Sequence, residues 1–135
     1  MVKMKAIYRG DYKTECTHES GATLETDIPK ELGGEGKVFS PTDLFAASLG
    51  TCMLSLMGIH AKKLGFDLKG STVEIEKTMS ISPPRRIEKI AIRIRCPKVP
   101  TEQIQQKLEQ AALNCPVHLS LHGDLKKEID FTWGL

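Results

Sequence analysis

The sequence of 135 residues lacks a large excess of charge of either sign. Its 19 basic and 17 acidic side chains leave a formal net charge of +2, so charge gives no argument for binding nucleic acid or an anionic membrane. The first residues contain no apolar run of the kind that forms a signal peptide, and we therefore expect a cytoplasmic protein. The length suits a single domain, residues 1–135, with its own core.

The four cysteines include no CxxC pair, which argues against a zinc ribbon or a thioredoxin-type motif. In a reducing compartment they do not form a disulfide framework, so any cysteine function is expected to be catalytic or redox. Cys16, on an early strand, and Cys96, on a buried strand face, fit the common case of an inert core thiol. Cys52 and Cys115 remain as candidates, and no cofactor is expected.

One long stretch, Leu44–Ala61, contains no charged residue. Ser40 can cap a helix there, with Pro41 in its first position and Asp43 completing a capping box, and Gly65 can end it. Small and polar residues make the stretch insufficiently hydrophobic for a membrane span, and we predict a buried core helix. Such a helix is apolar almost all round and needs more cover than one small sheet supplies. A second copy in a homodimer would provide it.

The other segments predict an α+β fold with mainly antiparallel pairing. Three short strands come first, and a glycine-rich loop leads from them to the long helix. A hairpin follows that helix, with Ile81 on its buried face and Arg93 on its solvent face. Two helices and a last strand complete the chain. The predicted ranges are 4–9, 11–17, 22–26, 72–81, 89–96, 101–114, 116–122 and 128–133.

The two candidate thiols differ in their helical positions. Cys115 precedes Pro116 and is predicted to cap a short helix, where the positive dipole end and unpaired N–H groups favour a thiolate. Cys52 lies in the middle of the long helix, where neither dipole end helps. An active Cys52 therefore requires a cation from elsewhere in the structure.

The histidines permit a different interpretation. Cys115, His118 and His122 are three and four residues apart, so a helix would place them on one side, where zinc accepts both sulfur and imidazole. A structural or sensory metal site at these residues is an alternative hypothesis. His60, at the end of the apolar stretch, is expected to be a partly buried polar residue.

Two motifs occur together in this chain. The first is Ser-Pro-Thr-Asp-Leu-Phe-Ala-Ala, residues 40–47, leading to Cys52, and the second is Asn-Cys-Pro-Val, residues 114–117. In this order they resemble the OsmC/Ohr family of osmotically inducible and organic hydroperoxide resistance proteins. The order of the predicted elements agrees with that family along nearly the whole chain.

The resemblance implies a fold and an activity. The fold would be OsmC-like, with antiparallel sheets wrapped around long central helices in an intertwined homodimer. The activity would be that of a thiol-dependent peroxidase acting on organic hydroperoxides. Cys52 would be the peroxidatic cysteine and Cys115 the resolving cysteine, and a dithiol would reduce their disulfide. A hydrophobic wall would favour alkyl or lipid peroxides, and it would consist of Leu44, Phe45, Leu49, Leu56 and Met57.

The activating groups depart from the family pattern. In hydroperoxide-reducing members the acid directly after the helix-start proline pairs with an arginine that activates the thiolate. Here Thr42 occupies that position and the acid is Asp43, while Arg9 is the one arginine before the long helix. Arg9 and Asp43 are therefore the possible activating residues. A non-catalytic, small-molecule-binding OsmC-like dimer is the alternative that Thr42 favours.

Overall fold

The computed structural model describes residues 1–134. The chain forms two compact units, one from Met1 to Phe45 and one from Ala46 onward. The long helix α1 (Pro41–Lys63) begins in the first unit and continues through the second.

The first unit is built on an antiparallel sheet in the order β1-β2-β3. Its strands confirm the three predicted near the N-terminus, and their bounds are Met4–Gly10, Lys13–His18 and Thr23–Thr26. The predicted loop follows, and the carboxylate of Asp27 accepts the N–H groups of Glu35 at 2.9 Å and Ile28 at 2.8 Å. These hydrogen bonds, led by the one from Glu35, hold the pKa of the Asp27 carboxyl below its usual value.

The ends of α1 confirm the predicted signals. The Ser40 hydroxyl accepts the N–H of Asp43 at 3.1 Å, and the Asp43 carboxylate accepts the N–H of Ser40 at 2.9 Å. This reciprocal pair is a capping box, so two of the unpaired donors at the helix start are satisfied. At the other end Gly65 has a φ of +70°, and the N–H of Phe66 donates to the carbonyl of Ala61 at 2.9 Å.

The second unit contains a three-stranded sheet in the order β4-β5-β6, comprising Thr72–Met79, Ile87–Cys96 and Lys126–Trp133. Helices α2 (Glu102–Leu113) and α3 (Pro116–Leu119) connect β5 to β6. The predicted antiparallel hairpin is confirmed in β4 and β5, but β6 runs parallel to β5. The prediction of mainly antiparallel pairing is confirmed, since three of the four strand pairs within residues 1–134 are antiparallel. The direction of β6 was left open, because alternation within a strand carries no information about direction. A helical crossover makes parallel pairing possible.

The core of this unit lies between the sheet and one stripe of α1. The fully buried residues of β5 are Ile90, Ile92 and Ile94, and Leu108 of α2 packs with them. Ile81 is fully exposed beyond the end of β4, so its predicted place on the buried face was wrong. The buried residues of α1 are spaced three and four apart, and they are Ala46, Leu49, Gly50, Met53, Met57 and Ala61.

The opposite face of α1 is left uncovered. It carries Thr51, Ser55 and Ile59, and Ile59 is 51% exposed. The Thr51 hydroxyl donates to the carbonyl of Ala47 at 2.9 Å, and the Ser55 hydroxyl donates to that of Thr51 at 2.9 Å. The polar groups of this face are therefore satisfied within the helix, and an apolar surface can cover it at little cost. By length and composition α1 could also cross a membrane, a property that core helices share.

Gly50 and Gly58 provide a matched test of the packing of α1. A Cβ at Gly50 would lie 2.6 Å from Cδ1 of Ile75, whereas a Cβ at Gly58 meets nothing within 4 Å. We expect Gly50→Ala to lower the free energy of unfolding by about 1 kcal/mol, because overpacking outweighs the gain in helix propensity. Gly58→Ala should raise it by up to about 1 kcal/mol. Urea denaturation of both variants measures the difference, and equal effects would contradict this packing.

Candidate functional site

Cys52 and Cys115 meet in the second unit. Cys52 is half-buried on α1, and Cys115 is fully buried immediately before α3. The Cys52 side chain lies within hydrogen-bonding reach of the Cys115 sulfur, and both are free thiols. Two residues that are 63 positions apart in the sequence are thus neighbours in the structure.

Local sequence places Cys115 as predicted. Pro116 occupies the first position of α3, and Cys115 is its N-cap, with Sγ accepting the N–H of His118 at 3.3 Å. The His118 ring is turned back onto the preceding helix, where Nδ1 donates to the carbonyl of Leu113 at 2.7 Å. His118 is therefore hydrogen-bonded both to Cys115 and to Leu113, and these bonds fix the chain on either side of Cys115.

The acidity expected for Cys115 was wrong in direction. Burial raises the pKa of the Cys115 thiol above its ordinary value of 9.0, and the N–H of His118 lowers it by less. The neighbouring Cys52 side chain raises it further. Loss of water around the sulfur therefore outweighs the stabilisation that a helix cap gives to a thiolate.

The other two cysteines occupy structural positions. Cys96 is 1% exposed at the end of β5, and burial raises the pKa of its thiol. Cys16 is half-buried on β2, directly across from Ala6 and Leu24. Neither belongs to the pair formed by Cys52 and Cys115.

The two possible activating residues belong to the first unit. The Arg9 guanidinium binds the carboxylate of Glu15 at 2.9 Å. Arg9 also borders a cleft of about 360 Å³ with other charged residues, among them Lys13 and Asp27. The Asp43 carboxylate takes part in the capping box at the start of α1. Their role in activating Cys52 stays a prediction.

The alternative metal site is not formed. Helix α3 ends at Leu119, three residues short of the predicted His122, so Cys115, His118 and His122 do not share one helical face. The Nδ1 of His122 instead accepts the N–H of Asp124 at 3.1 Å. Within residues 1–134 no three His, Cys, Asp or Glu side chains are grouped so that they could hold a metal ion.

The residues of the predicted hydrophobic wall differ in how deeply they are buried. Leu49 and Met57 are fully buried in the core and cannot contact a substrate, whereas Leu56 is half-buried and borders an open cleft. The other residues of this cleft come from α1, α2 and the turns that end them. They are His60, Lys63, Leu64, Lys107, Gln110, Ala111 and Asn114. Sequence reasoning missed Lys107, although its spacing from Gln110 and Asn114 places all three on one side of α2.

Known proteins share the fold of this chain. A family model for OsmC-like proteins matches residues 34–130. A suspected osmotic-stress-induced and detoxification-response protein from Psychrobacter arcticus is 36% identical, with 97% of this chain and 96% of that chain covered and a TM-score of 0.91. The organic hydroperoxide resistance protein OhrB of Bacillus subtilis has a TM-score of 0.70 at 19% identity, over 97% of each chain. An uncharacterised Acinetobacter baylyi protein is 25% identical over 109 residues, which are 80% of this chain and 75% of that protein.

These matches and the pair of thiols indicate the same family. The chain has the α+β architecture predicted from the two motifs. In it, Cys52 of the long helix lies beside Cys115, which caps the helix that begins at Pro116. The chain belongs to the OsmC-like protein family.

Proposed function

We propose that this protein is a cytoplasmic, homodimeric thiol peroxidase that reduces organic hydroperoxides through Cys52 and Cys115. The observation that carries the proposal is the direct approach of the two thiols within one chain. The half-buried Cys52 can be reached from outside, whereas Cys115 is closed to solvent. This asymmetry supports Cys52 as the thiol that meets the peroxide.

In the first step the Cys52 thiolate attacks the terminal oxygen of the hydroperoxide. The O–O bond breaks, the departing alkoxide takes a proton and leaves as an alcohol, and Cys52 becomes a sulfenic acid. Arg9 is the cation proposed to favour the Cys52 thiolate, and Asp43 is the carboxylate proposed to pair with that arginine. A cation near the sulfur is needed because mid-helix position provides no dipole stabilisation.

In the second step the Cys115 thiolate attacks the Cys52 sulfur. The S–O bond breaks, the hydroxyl leaves as water after taking a proton, and a disulfide forms. A dithiol then reduces this disulfide by exchange and restores both thiols. Over one cycle the hydroperoxide and the dithiol become an alcohol, water and an oxidised dithiol.

The intact mass of the protein after one equivalent of cumene hydroperoxide tests this sequence. Wild type should lose about 2 Da as the disulfide closes, and Cys115→Ser should gain about 16 Da as a retained sulfenic acid. Cys52→Ser should stay unchanged. Oxidation of Cys115 while Cys52 remains reduced would reverse the two roles, and no change in any variant would favour a non-catalytic binding protein.

The second step should depend on pH in a defined direction. Because burial raises the pKa of the Cys115 thiol above 9.0, most of it is protonated at neutral pH. We expect disulfide closure to accelerate by about tenfold per pH unit between pH 7 and pH 9, in proportion to the thiolate. Acid quenching and mass analysis at timed intervals measure the decay of the sulfenic acid. A rate that is already constant below pH 8 would contradict the raised pKa.

A further inference from the structure

Cys115 lies at the junction between helices α2 and α3. Its partner Cys52 is in the middle of α1, where the hydrogen bonds of the helix hold the backbone on both sides. At the junction the chain leaves α2 after Leu113 and enters α3 at Pro116, and Cys115 has an extended backbone with φ −67° and ψ 146°. The position of the Cys115 sulfur therefore depends on the contacts that fix this junction.

His118 contacts the junction through two of its nitrogen atoms. Its backbone N–H donates to the Cys115 sulfur at 3.3 Å, and Nδ1 of its ring donates to the Leu113 carbonyl at 2.7 Å. Carbonyl groups in the last turn of a helix have no partner within that helix. Leu113 is the last residue of α2, so the His118 ring supplies a donor to one of these carbonyls. The ring thereby ties α3 to α2 across Cys115 and Pro116.

Neighbouring polar side chains bond within a single helix instead. The Ser120 hydroxyl donates to the carbonyl of Pro116 at 2.8 Å, which belongs to α3. The Asn114 amide donates to the carbonyl of Gln110 at 2.9 Å, which belongs to α2. Neither bond joins the two helices, so neither duplicates the link that the His118 ring makes.

This link bears on the thiol pair because the Cys52 side chain lies within hydrogen-bonding reach of the Cys115 sulfur. Two groups that are held in a productive arrangement react faster than two groups that move freely, because less freedom is lost in the reaction. The disulfide and the bond from His118 to Leu113 would restrain the same segment. Each is therefore expected to stabilise the other by the same factor.

We propose that His118 is a positioning residue for the thiol pair. Its ring holds the junction of α2 and α3 so that the Cys115 sulfur stays beside Cys52, which raises both the rate of disulfide closure and the stability of the disulfide. As an account of the catalytic cycle this rests on the proposed peroxidase function. As an account of the thiol pair it stands without that function, because a disulfide other than a peroxide product can also oxidise the two thiols by exchange.

His118→Leu and His118→Asn form a matched pair of variants. Leucine places a methyl group at the position of Nδ1, whereas asparagine places an N–H donor there. His122→Leu is the control, since it removes an imidazole from the same segment beyond the end of α3. The Nδ1 of His122 accepts the N–H of Asp124 at 3.1 Å, and this bond does not involve α2.

Equilibration with reduced and oxidised glutathione, followed by alkylation and peptide mapping, measures the stability of the Cys52–Cys115 disulfide. In this exchange the protein gives up two hydrogens and one glutathione disulfide becomes two glutathione thiols. His118→Leu should lower the equilibrium constant for closure about fivefold, the effect of losing one hydrogen bond. Its reduction potential should then rise by about 20 mV, since a tenfold change corresponds to about 30 mV. His118→Asn and His122→Leu should stay within about twofold of wild type.

Equal constants for wild type and His118→Leu would overturn the proposal. A loss in His118→Asn as large as in His118→Leu, or an equal loss in His122→Leu, would also overturn it, because the effect would not depend on a donor at the Nδ1 position. Wild type offers a test without any substitution. Nitrogen-15 NMR of the His118 ring should show a hydrogen on Nδ1 in both the reduced and the disulfide form, and a hydrogen on Nε2 alone would contradict the bond to Leu113.

Reaction with one equivalent of cumene hydroperoxide separates this role from the peroxidase function. Formation of the Cys52 sulfenic acid should be unchanged in His118→Leu, whereas its decay to the disulfide should slow about fivefold. This factor should be the same at about pH 6 and pH 8, because Nδ1 can carry its hydrogen in both the neutral and the protonated ring. A factor that changes with pH would show that the ring acts on the proton of Cys115 rather than on its position, and would contradict the proposal.

The two proposals fail in different ways. If no variant forms a sulfenic acid while the glutathione equilibrium still depends on His118, the peroxidase function is wrong and the positioning role remains. If wild type and His118→Leu close the disulfide at the same rate after forming the sulfenic acid, the positioning role is wrong and the peroxidase function remains.

Discussion

Cys52→Ser is expected to reduce the second-order rate of hydroperoxide consumption by about a thousandfold or more, because a hydroxyl is a far weaker nucleophile than a thiolate. Cys115→Ser should affect a different step of the cycle from Cys52→Ser. Its first turnover should proceed at a rate close to that of wild type, and its steady-state turnover with a dithiol should fall sharply, since the sulfenic acid then has no internal partner. Stopped-flow measurement with limiting cumene hydroperoxide separates the two effects.

Cys16→Ser is the matched control for these variants. Cys16 is half-buried like Cys52, but it lies on β2 and belongs to the other unit. The Cys16→Ser variant should retain both the first turnover and the steady-state rate of wild type. A comparable loss in Cys16→Ser would show that general thiol reactivity, rather than the pair of Cys52 and Cys115, consumes the peroxide. A normal first turnover in Cys52→Ser would contradict its assignment as the peroxidatic residue.

The second large effect is expected at the uncovered face of α1. We expect wild type to sediment at twice the mass of the chain at micromolar concentration, and Ser55→Glu to sediment as a monomer. Ser55 is exposed at the centre of this face between Thr51 and Ile59. An unpaired carboxylate buried there against a second copy should raise the dissociation constant by at least about a hundredfold.

Gln106→Glu is the control for Ser55→Glu. Gln106 is exposed on α2, and the substitution introduces the same charge away from the α1 face. It should remain a dimer. A wild-type monomer at micromolar concentration would contradict the homodimer, and a dimeric Ser55→Glu would place the interface on another surface. Circular dichroism of the monomeric variant checks that the chain still folds.

Sequence was sufficient where short-range interactions decide the structure. The capping box of Ser40 and Asp43, the closing turn at Gly65 and the cap formed by Cys115 before Pro116 all depend on residues within a few positions of each other. Helical and strand periodicities similarly located nearly all elements of the fold. The two motifs around Cys52 and Cys115 were enough to predict the family, because each is local.

Tertiary structure decided what depends on residues far apart in the chain. The raised pKa of Cys115 is a desolvation effect of all the groups packed around the sulfur, whereas the helix cap that suggested the opposite shift is local. The parallel direction of β6 follows from the crossover through α2 and α3. The open cleft between α1 and α2 likewise brings Lys63 together with Lys107 across 44 positions of sequence. Burial, strand direction and cavities result from long-range packing, and no sequence pattern within a single element contains them.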